Sequence, residues 1–206
     1  AMGISARRIT ISTVGLPAQI RRLAEQDLAV TLAISLHAPN DQIRRQLIPW
    51  AKYVSIDQLV AAGQYYFRRT GREVTLQYTL LAGVNDQPQH ARELASVARR
   101  LRSSINLIRY NEVVPLPFAR PLDRDVHRFQ AILCRSGLNV HIRASRGRDI
   151  AAACGQLRHD KNVETGAGCR SGPIAAVGRS KQLPTGLKAG EAKASEIHRL
   201  GLALKD

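Results

Sequence analysis

Among the residues of this chain that could do covalent chemistry, one thiol stands first. Cys154 lies in the run Arg143-Ala144-Ser145-Arg146-Gly147-Arg148-Asp149-Ile150-Ala151-Ala152-Ala153-Cys154-Gly155-Gln156-Leu157, with Arg143, Arg146 and Arg148 upstream. Nearby positive charge lowers a thiol's pKa and raises its thiolate fraction, which makes a nucleophile. The same residue also reads as a small apolar side chain on the buried face of an alanine-rich helix. Cys134, inside Ala131-Ile132-Leu133-Cys134, reads as a core residue, and Cys169 as incidental. Thiols this far apart form neither a disulfide framework nor a chelating motif, so the sequence predicts no metal ligands and a reducing, cytoplasmic setting.

The second set of candidates is polar and neutral. Ser12-Thr13, Ser35-Leu36-His37, Asn85-Asp86 and Asn111 each follow an apolar run that reads as a strand. In parallel α/β folds the loops at the C-terminal ends of strands carry the chemistry. Singly, each of these groups is ordinary turn chemistry; jointly they could converge on one small polar ligand. His37 has no obvious carboxylate partner, so ligand contact or structure is preferred over general-base catalysis. Asp149 reads as a helix N-cap.

The elements that must position these groups alternate. Arg8 to Thr13, Leu28 to His37, Glu73 to Leu81, Ile105 to Tyr110 and Leu138 to Ile142 read as strands. Leu16 to Gln26, Asp41 to Leu47, a segment starting at Ser55, Gln87 to Leu101, Asp125 to Ser136 and Asp149 to Leu157 read as helices. The run ending at His37 suits a strand buried on both faces. Strands alternating with helices call for an α/β fold with a parallel sheet, open or curled into part of a barrel. Residues 159–206 contain no aromatic residue and are rich in Gly, Lys, Ala and Ser, so they are expected to form a largely disordered basic tail.

The chain has 206 residues and a formal net charge of +15, which favours a polyanionic partner, most simply nucleic acid. A solvated basic surface is the plainer alternative. No stretch of about 18 uncharged apolar residues exists, so no membrane span is expected, and the N-terminus does not read as a signal peptide. Walker, G-x-G-x-x-G, H-E-x-x-H and Cys-x-x-Cys patterns are absent.

Several segments together resemble the RlmN/Cfr family of radical SAM RNA methyltransferases. They are Arg8-Ile9-Thr10-Ile11-Ser12-Thr13-Val14-Gly15, Leu32-Ala33-Ile34-Ser35-Leu36-His37-Ala38-Pro39-Asn40, Gly83-Val84-Asn85-Asp86, Ile105-Asn106-Leu107-Ile108, Asn111, and Arg146-Gly147 through Asp149-Ile150 to Ala153-Cys154-Gly155-Gln156-Leu157. They occur in the family's order and cover about residues 4–158. The resemblance implies a partial radical-SAM (β/α) barrel over residues 1–158 with the tail at 159–206. It implies S-adenosylmethionine contacts by Ser12, Ser35, Leu36, His37 and Asn111. It further implies that Cys154 is methylated, that a 5′-deoxyadenosyl radical activates the methyl carbon, and that the carbon is added to C2 of an adenosine in 23S ribosomal RNA and certain tRNAs.

In the family a Cys-x3-Cys-x2-Cys motif binds a 4Fe-4S cluster fed by an electron donor. That motif, the Gly-Glu cofactor motif and the N-terminal RNA-binding domain would precede the first residue of this chain. The chain is therefore expected to be the C-terminal portion of such an enzyme, inactive alone. Gln77 stands where an acid is common, and Glu112-Val113-Val114-Pro115-Leu116-Pro117-Phe118 differs from the shorter Asn-Pro-Phe loop. Two alternatives remain open at this point: a non-catalytic basic RNA-binding protein on a degenerate barrel, and Cfr-like methylation at C8.

Overall fold

The computed structural model describes residues 5–111 and 117–143. The predicted helix at 149–157, Cys154, the tail at 159–206 and the boundary at 158 lie outside them.

Five strands form one wholly parallel sheet in sequential order: β1 (Thr10–Thr13), β2 (Thr31–Ser35), β3 (Val74–Leu80), β4 (Ser103–Arg109) and β5 (Asn139–Arg143). A parallel pair needs a crossover, and right-handed crossovers that always step in one direction lay every helix on the same face. The connecting helices are α1 (Pro17–Ala24), α2 (Asp41–Leu47), α3 (Ile56–Thr70), α4 (Pro88–Arg99) and α5 (Asp123–Arg135).

Side-chain alternation sorts the two faces of the sheet. In β3, Val74, Leu76, Tyr78 and Leu80 are buried against the helices, whereas Thr75, Gln77 and Thr79 between them face the other way and are only partly buried. Register then builds rows across that opposite face: Ser12 beside Ala33, Thr75 and Ser104, and Ser35 beside Gln77, Asn106 and His141. The helix-side core contains Tyr66, Tyr78, Phe129, Leu94 and Ile105, all 1% exposed or less. The face without helices is a floor of hydroxyl, amide and imidazole groups.

Local chemistry explains the element ends. Ser55 and Gln58 form a reciprocal capping box at the start of α3, and Gly71 closes that helix with φ of 68°. Asn40 caps α2, its side chain accepting from the Ile43 amide. Gly15 turns the chain after β1 at φ of 102°, and a Cβ there would lie 2.5 Å from Leu59 Cδ2, so α3 packs where only glycine fits.

Four expectations change. β2 starts at Thr31 rather than Leu28, because Leu28 is 47% exposed and its carbonyl is taken by the Val30 amide. Its apolar run does bury both faces as expected, since Leu32, Ala33 and Ile34 are all 1% exposed or less. Cys134, expected in the core, is exposed: the buried stripe of α5 runs through Val126, Phe129 and Leu133, which turns the next residue outward. A 3-10 turn at Pro49–Lys52, between α2 and α3, was not anticipated. Asn85, expected on the polar rim, is fully buried.

Candidate cofactor site

The site is built around the end of β2. Ser35 is 7% exposed and sits beside Gln77 on the polar floor. The next two amides, of Leu36 and His37, both donate to the Gln77 carbonyl at 3.1 and 3.2 Å. That fork stops the ladder and turns His37 into the left-handed region at φ of 54°. A histidine there is strained by about 1–3 kcal/mol and persists only where its surroundings hold it. Four bonds do so: the two of the fork, the Asn85 Nδ2 donation to the His37 carbonyl at 2.8 Å, and the Thr79 amide donation to His37 Nδ1 at 3.0 Å.

Because Nδ1 accepts, the neutral ring carries its proton on Nε2. Burial, and secondarily the positive charge of Arg44, lower the His37 pKa to about 4, so the ring is uncharged at neutral pH and offers one N–H donor. The sign of the resulting linkage is fixed. The unfolded chain takes up a proton near the ordinary value of 6.5 and the folded chain only near 4. Stability is therefore complete above about pH 6.5 and is lost as the pH falls toward 4, by roughly 3 kcal/mol. His37→Asn should flatten that acid limb in pH-dependent denaturation, since asparagine tolerates positive φ and its oxygen can still accept from Thr79. An unchanged slope would remove His37 as its source.

Arg44 is 0% exposed although it lies on the seven-residue α2. Its Nη2 donates to the Val14 carbonyl at 2.6 Å and its Nη1 to the Val54 carbonyl at 3.4 Å. It thus ties the turn after β1 to the approach to α3. Burial lowers its pKa to about 10, partly offset by Asp41, so it remains a cation at neutral pH. Asp41 accepts from the Ile56 amide at 2.8 Å, and Asn40 Nδ2 donates to Glu93 at 2.7 Å. The His37–Arg44 segment consequently touches the loops or helices that follow β1, β2 and β3.

The predicted contact residues are placed unequally. Ser35, Leu36 and His37 form the continuous corner just described. The Leu36 side chain is 1% exposed and belongs to the core, and its amide is engaged, so its backbone carbonyl is what it can offer a ligand. Ser12 is exposed on β1, beside Ala33 and one register row from Ser35. Asn111 follows β4 at the same end of the sheet, its Oδ1 accepting from Arg120 at 3.2 Å. Sequence reasoning passed over Arg44, and over Gln77 as a site group. The Gln77 side-chain oxygen is buried with no hydrogen-bond partner among the described residues. An orphaned acceptor beside Ser35 and Asn106 is what a donor-bearing ligand would satisfy. The polar period of two through Thr75, Gln77 and Thr79 was its signal.

Charge is sorted along the strand axis. Asp41, Asp57, Asp123 and Asp125 occupy helix first turns at the site end, while Arg21, Arg22, Arg68, Arg69, Arg99 and Arg135 occupy last turns at the far end. That arrangement complements the helix dipoles. Exposed cations at the site end include Arg45, Lys52 and Arg124.

A sulfonium nucleoside with an amino-acid side arm presents ammonium, hydroxyl and amine donors together with ring acceptors. The Ser12 and Ser35 hydroxyls, the free Gln77 oxygen, the neutral His37 and the Asn111 amide fit such a group. An iron–sulfur cluster does not fit the described residues: no group of three or more His, Cys, Asp or Glu among them could hold a metal, and Cys134 faces outward on α5.

A sequential parallel sheet with helices on one face and a polar floor on the other is a (β/α) barrel-type architecture. A radical SAM methyltransferase from Sphaerobacter thermophilus superposes with a TM-score of 0.73 at 47% identity, over 76% of this chain and 46% of that one. A domain of a pyruvate-formate lyase-activating enzyme from Bacteroides vulgatus shares the fold alone, with a TM-score of 0.53 at 15% identity over 66% of this chain and 80% of that chain. No protein-family profile matches. In sequence, a probable dual-specificity RNA methyltransferase RlmN from Thermosynechococcus vestitus is 52% identical over 157 residues, 76% of this chain and 47% of that protein. A ribosomal RNA large subunit methyltransferase N from Nitrosopumilus maritimus is 46% identical over 158 residues, 77% of this chain and 45% of that protein. Over about three quarters of its length the chain is homologous to RlmN-type radical SAM methyltransferases. It spans about half the length of the curated relatives it matches.

Proposed function

We propose that this chain serves an RlmN-type RNA methyltransferase that methylates C2 of adenosine in 23S ribosomal RNA and in tRNA, in the cytoplasm. In this reading S-adenosylmethionine is held at the C-terminal ends of β1, β2 and β4, and Cys154 is the transient methyl carrier. The observation that carries it is the β2 corner: a left-handed His37, a buried Ser35 and an unpartnered Gln77 oxygen lie on a polar floor. That corner belongs to a fold about half identical in sequence to RlmN-named proteins.

When bound, S-adenosylmethionine supplies the methyl group and, with a 4Fe-4S cluster and its electron donor, the radical chemistry that activates it. The residues of this chain orient and bind. Ser35 and Gln77 accept from the ligand's donors, His37 Nε2 donates, the Leu36 carbonyl and the Asn111 amide bracket the nucleoside, and Ser12 closes the β1 side. Keeping His37 neutral avoids placing a second positive charge beside a sulfonium. Positive charge from the sequence run Arg143, Arg146 and Arg148 would favour the thiolate form of Cys154 for methyl capture.

The test is a chimera in which this chain replaces the matching half of the Thermosynechococcus relative, expressed in a host lacking its own enzyme. It should yield 2-methyladenosine in ribosomal RNA, read by mass spectrometry of nucleosides. Cys154→Ala should reduce that product to the detection limit. Product persisting in the variant would remove Cys154 from the mechanism, and 8-methyladenosine would replace C2 by a Cfr-like outcome.

A further inference from the structure

The chain contains a single tryptophan, and that residue is not in the core. Trp50 is 43% exposed and its neighbour Tyr53 is 74% exposed, with ring centroids 5.3 Å apart and planes at 56°. Both lie on the 3-10 turn at Pro49–Lys52 or directly after it. The turn is well packed: Ile48, Ala51 and Val54 between the two rings and beside them are 7%, 3% and 8% exposed, and the Val54 carbonyl accepts from buried Arg44. The rings are therefore held outward on a fixed backbone rather than left over from a frayed loop. Ile9, Leu28 and Leu122, the other large exposed apolar residues among those described, are scattered singly and need no explanation. A touching aromatic pair does.

We propose that Trp50 and Tyr53, with the exposed cations Lys52, between them in sequence, and Arg45, on the preceding helix, form a stacking platform for an unpaired RNA base. Aromatic faces take any base, and the flanking cations take the phosphates on either side. Place supports this occupant. The turn connects α2 to the start of α3, at the same end of the sheet as His37, and the seven residues of α2 put it about 10 Å along that helix. A base stacked there is a neighbour of the one that enters the site, not the target itself. Such a contact holds a flanking nucleotide whatever its base, since stacking is sequence-tolerant. The proposal rests on the preceding reading only for the strand being RNA, and its test needs neither cofactor nor turnover.

The sole tryptophan makes the test direct. The full chain is titrated with single-stranded hexaadenylate at low salt, reading Trp50 emission and, in parallel, the anisotropy of labelled RNA. Saturable quenching is expected. Tyr53→Ala and Trp50→Ala should each weaken binding roughly 5- to 150-fold, while Trp50→Phe restores most of it by anisotropy. Far-UV circular dichroism and melting should stay unchanged, because both rings are outside the core. Salt-dependent RNA binding that leaves Trp50 emission unmoved and survives both alanine variants would overturn the proposal, placing the contact on phosphates alone. Free-chain emission already blue-shifted and closed to acrylamide would overturn it too, since another part of the chain would then cover the pair.

Discussion

Asn85→Ala is expected to destabilise the chain by about 3–5 kcal/mol, enough to leave much of it unfolded at 37 °C if its total stability is ordinary. The side chain is 0% exposed and every polar atom on it is used. Its Oδ1 accepts from the Leu81 amide at 2.8 Å, and its Nδ2 donates to the His37 and Thr79 carbonyls, each at 2.8 Å. Its own carbonyl accepts from the buried Tyr78 hydroxyl at 2.8 Å. Truncation strands three buried backbone groups, each costing about 1–3 kcal/mol unless water enters. Asn85→Asp keeps the size and the acceptor but sets carboxylate oxygen against two carbonyls, so it should be at least as damaging at neutral pH. Urea denaturation of both variants decides this. A loss below about 1 kcal/mol for Asn85→Ala would mean that the corner at His37 is held by other bonds.

The same network shows what could and could not be read from the sequence. The strand–helix alternation was legible because each element carries its own pattern: period two in β3, the Val126-Phe129-Leu133 stripe in α5, and the Asn40-Asp41 start of α2, whose bounds coincide with those expected. The strand-end rule and the family resemblance singled out Ser35, Leu36 and His37, and the structure places these three on one corner at the end of β2. The structure of that corner was not legible. β2 ends where it does because Gln77, Thr79 and Asn85, some forty residues away, fix the His37 backbone, and no local propensity reports a partner at that distance. Asn85 was misplaced for a related reason. A Gly-Val-Asn-Asp turn looks the same whether its amide meets solvent or three backbone groups inside.

Charge was the coarsest signal. A net +15 pointed to a polyanion without saying where one would sit. Among the described residues the site end carries first-turn aspartates as well as cations, and the helix last turns at the far end carry arginines. Base stacking on Trp50 and Tyr53 would supply at the site end what net charge does not. A 4% aromatic content gave no hint of this, because composition does not separate core rings from exposed ones.

Arg44 is the clearest example of a residue whose role is invisible locally, and substitution there should be nearly as costly as at Asn85. In the string Asp41-Gln42-Ile43-Arg44-Arg45 it looks like a solvated helix face, yet it is enclosed and its guanidinium spans the Val14 and Val54 carbonyls. Arg44→Ala leaves both carbonyls without a donor, opens a cavity and removes the charge facing Asp41, so a loss of about 3–5 kcal/mol is expected. Arg44→Lys keeps the charge but can reach one carbonyl at a time, and should lose less than Arg44→Ala. Arg44→Met fills most of the volume without the donors and separates packing from electrostatics. The positive charge of Arg44 helps to lower the His37 pKa, so Arg44→Met should raise it toward the ordinary value. The methionine variant is therefore expected to be less stable at neutral pH and yet to lose less additional stability on acidification, because the gap between folded and unfolded pKa narrows. Thermal denaturation of wild type and Arg44→Met from pH 7 to pH 4 measures both quantities. A variant destabilised equally at every pH would show that Arg44 braces the turn after β1 without setting the charge state of His37.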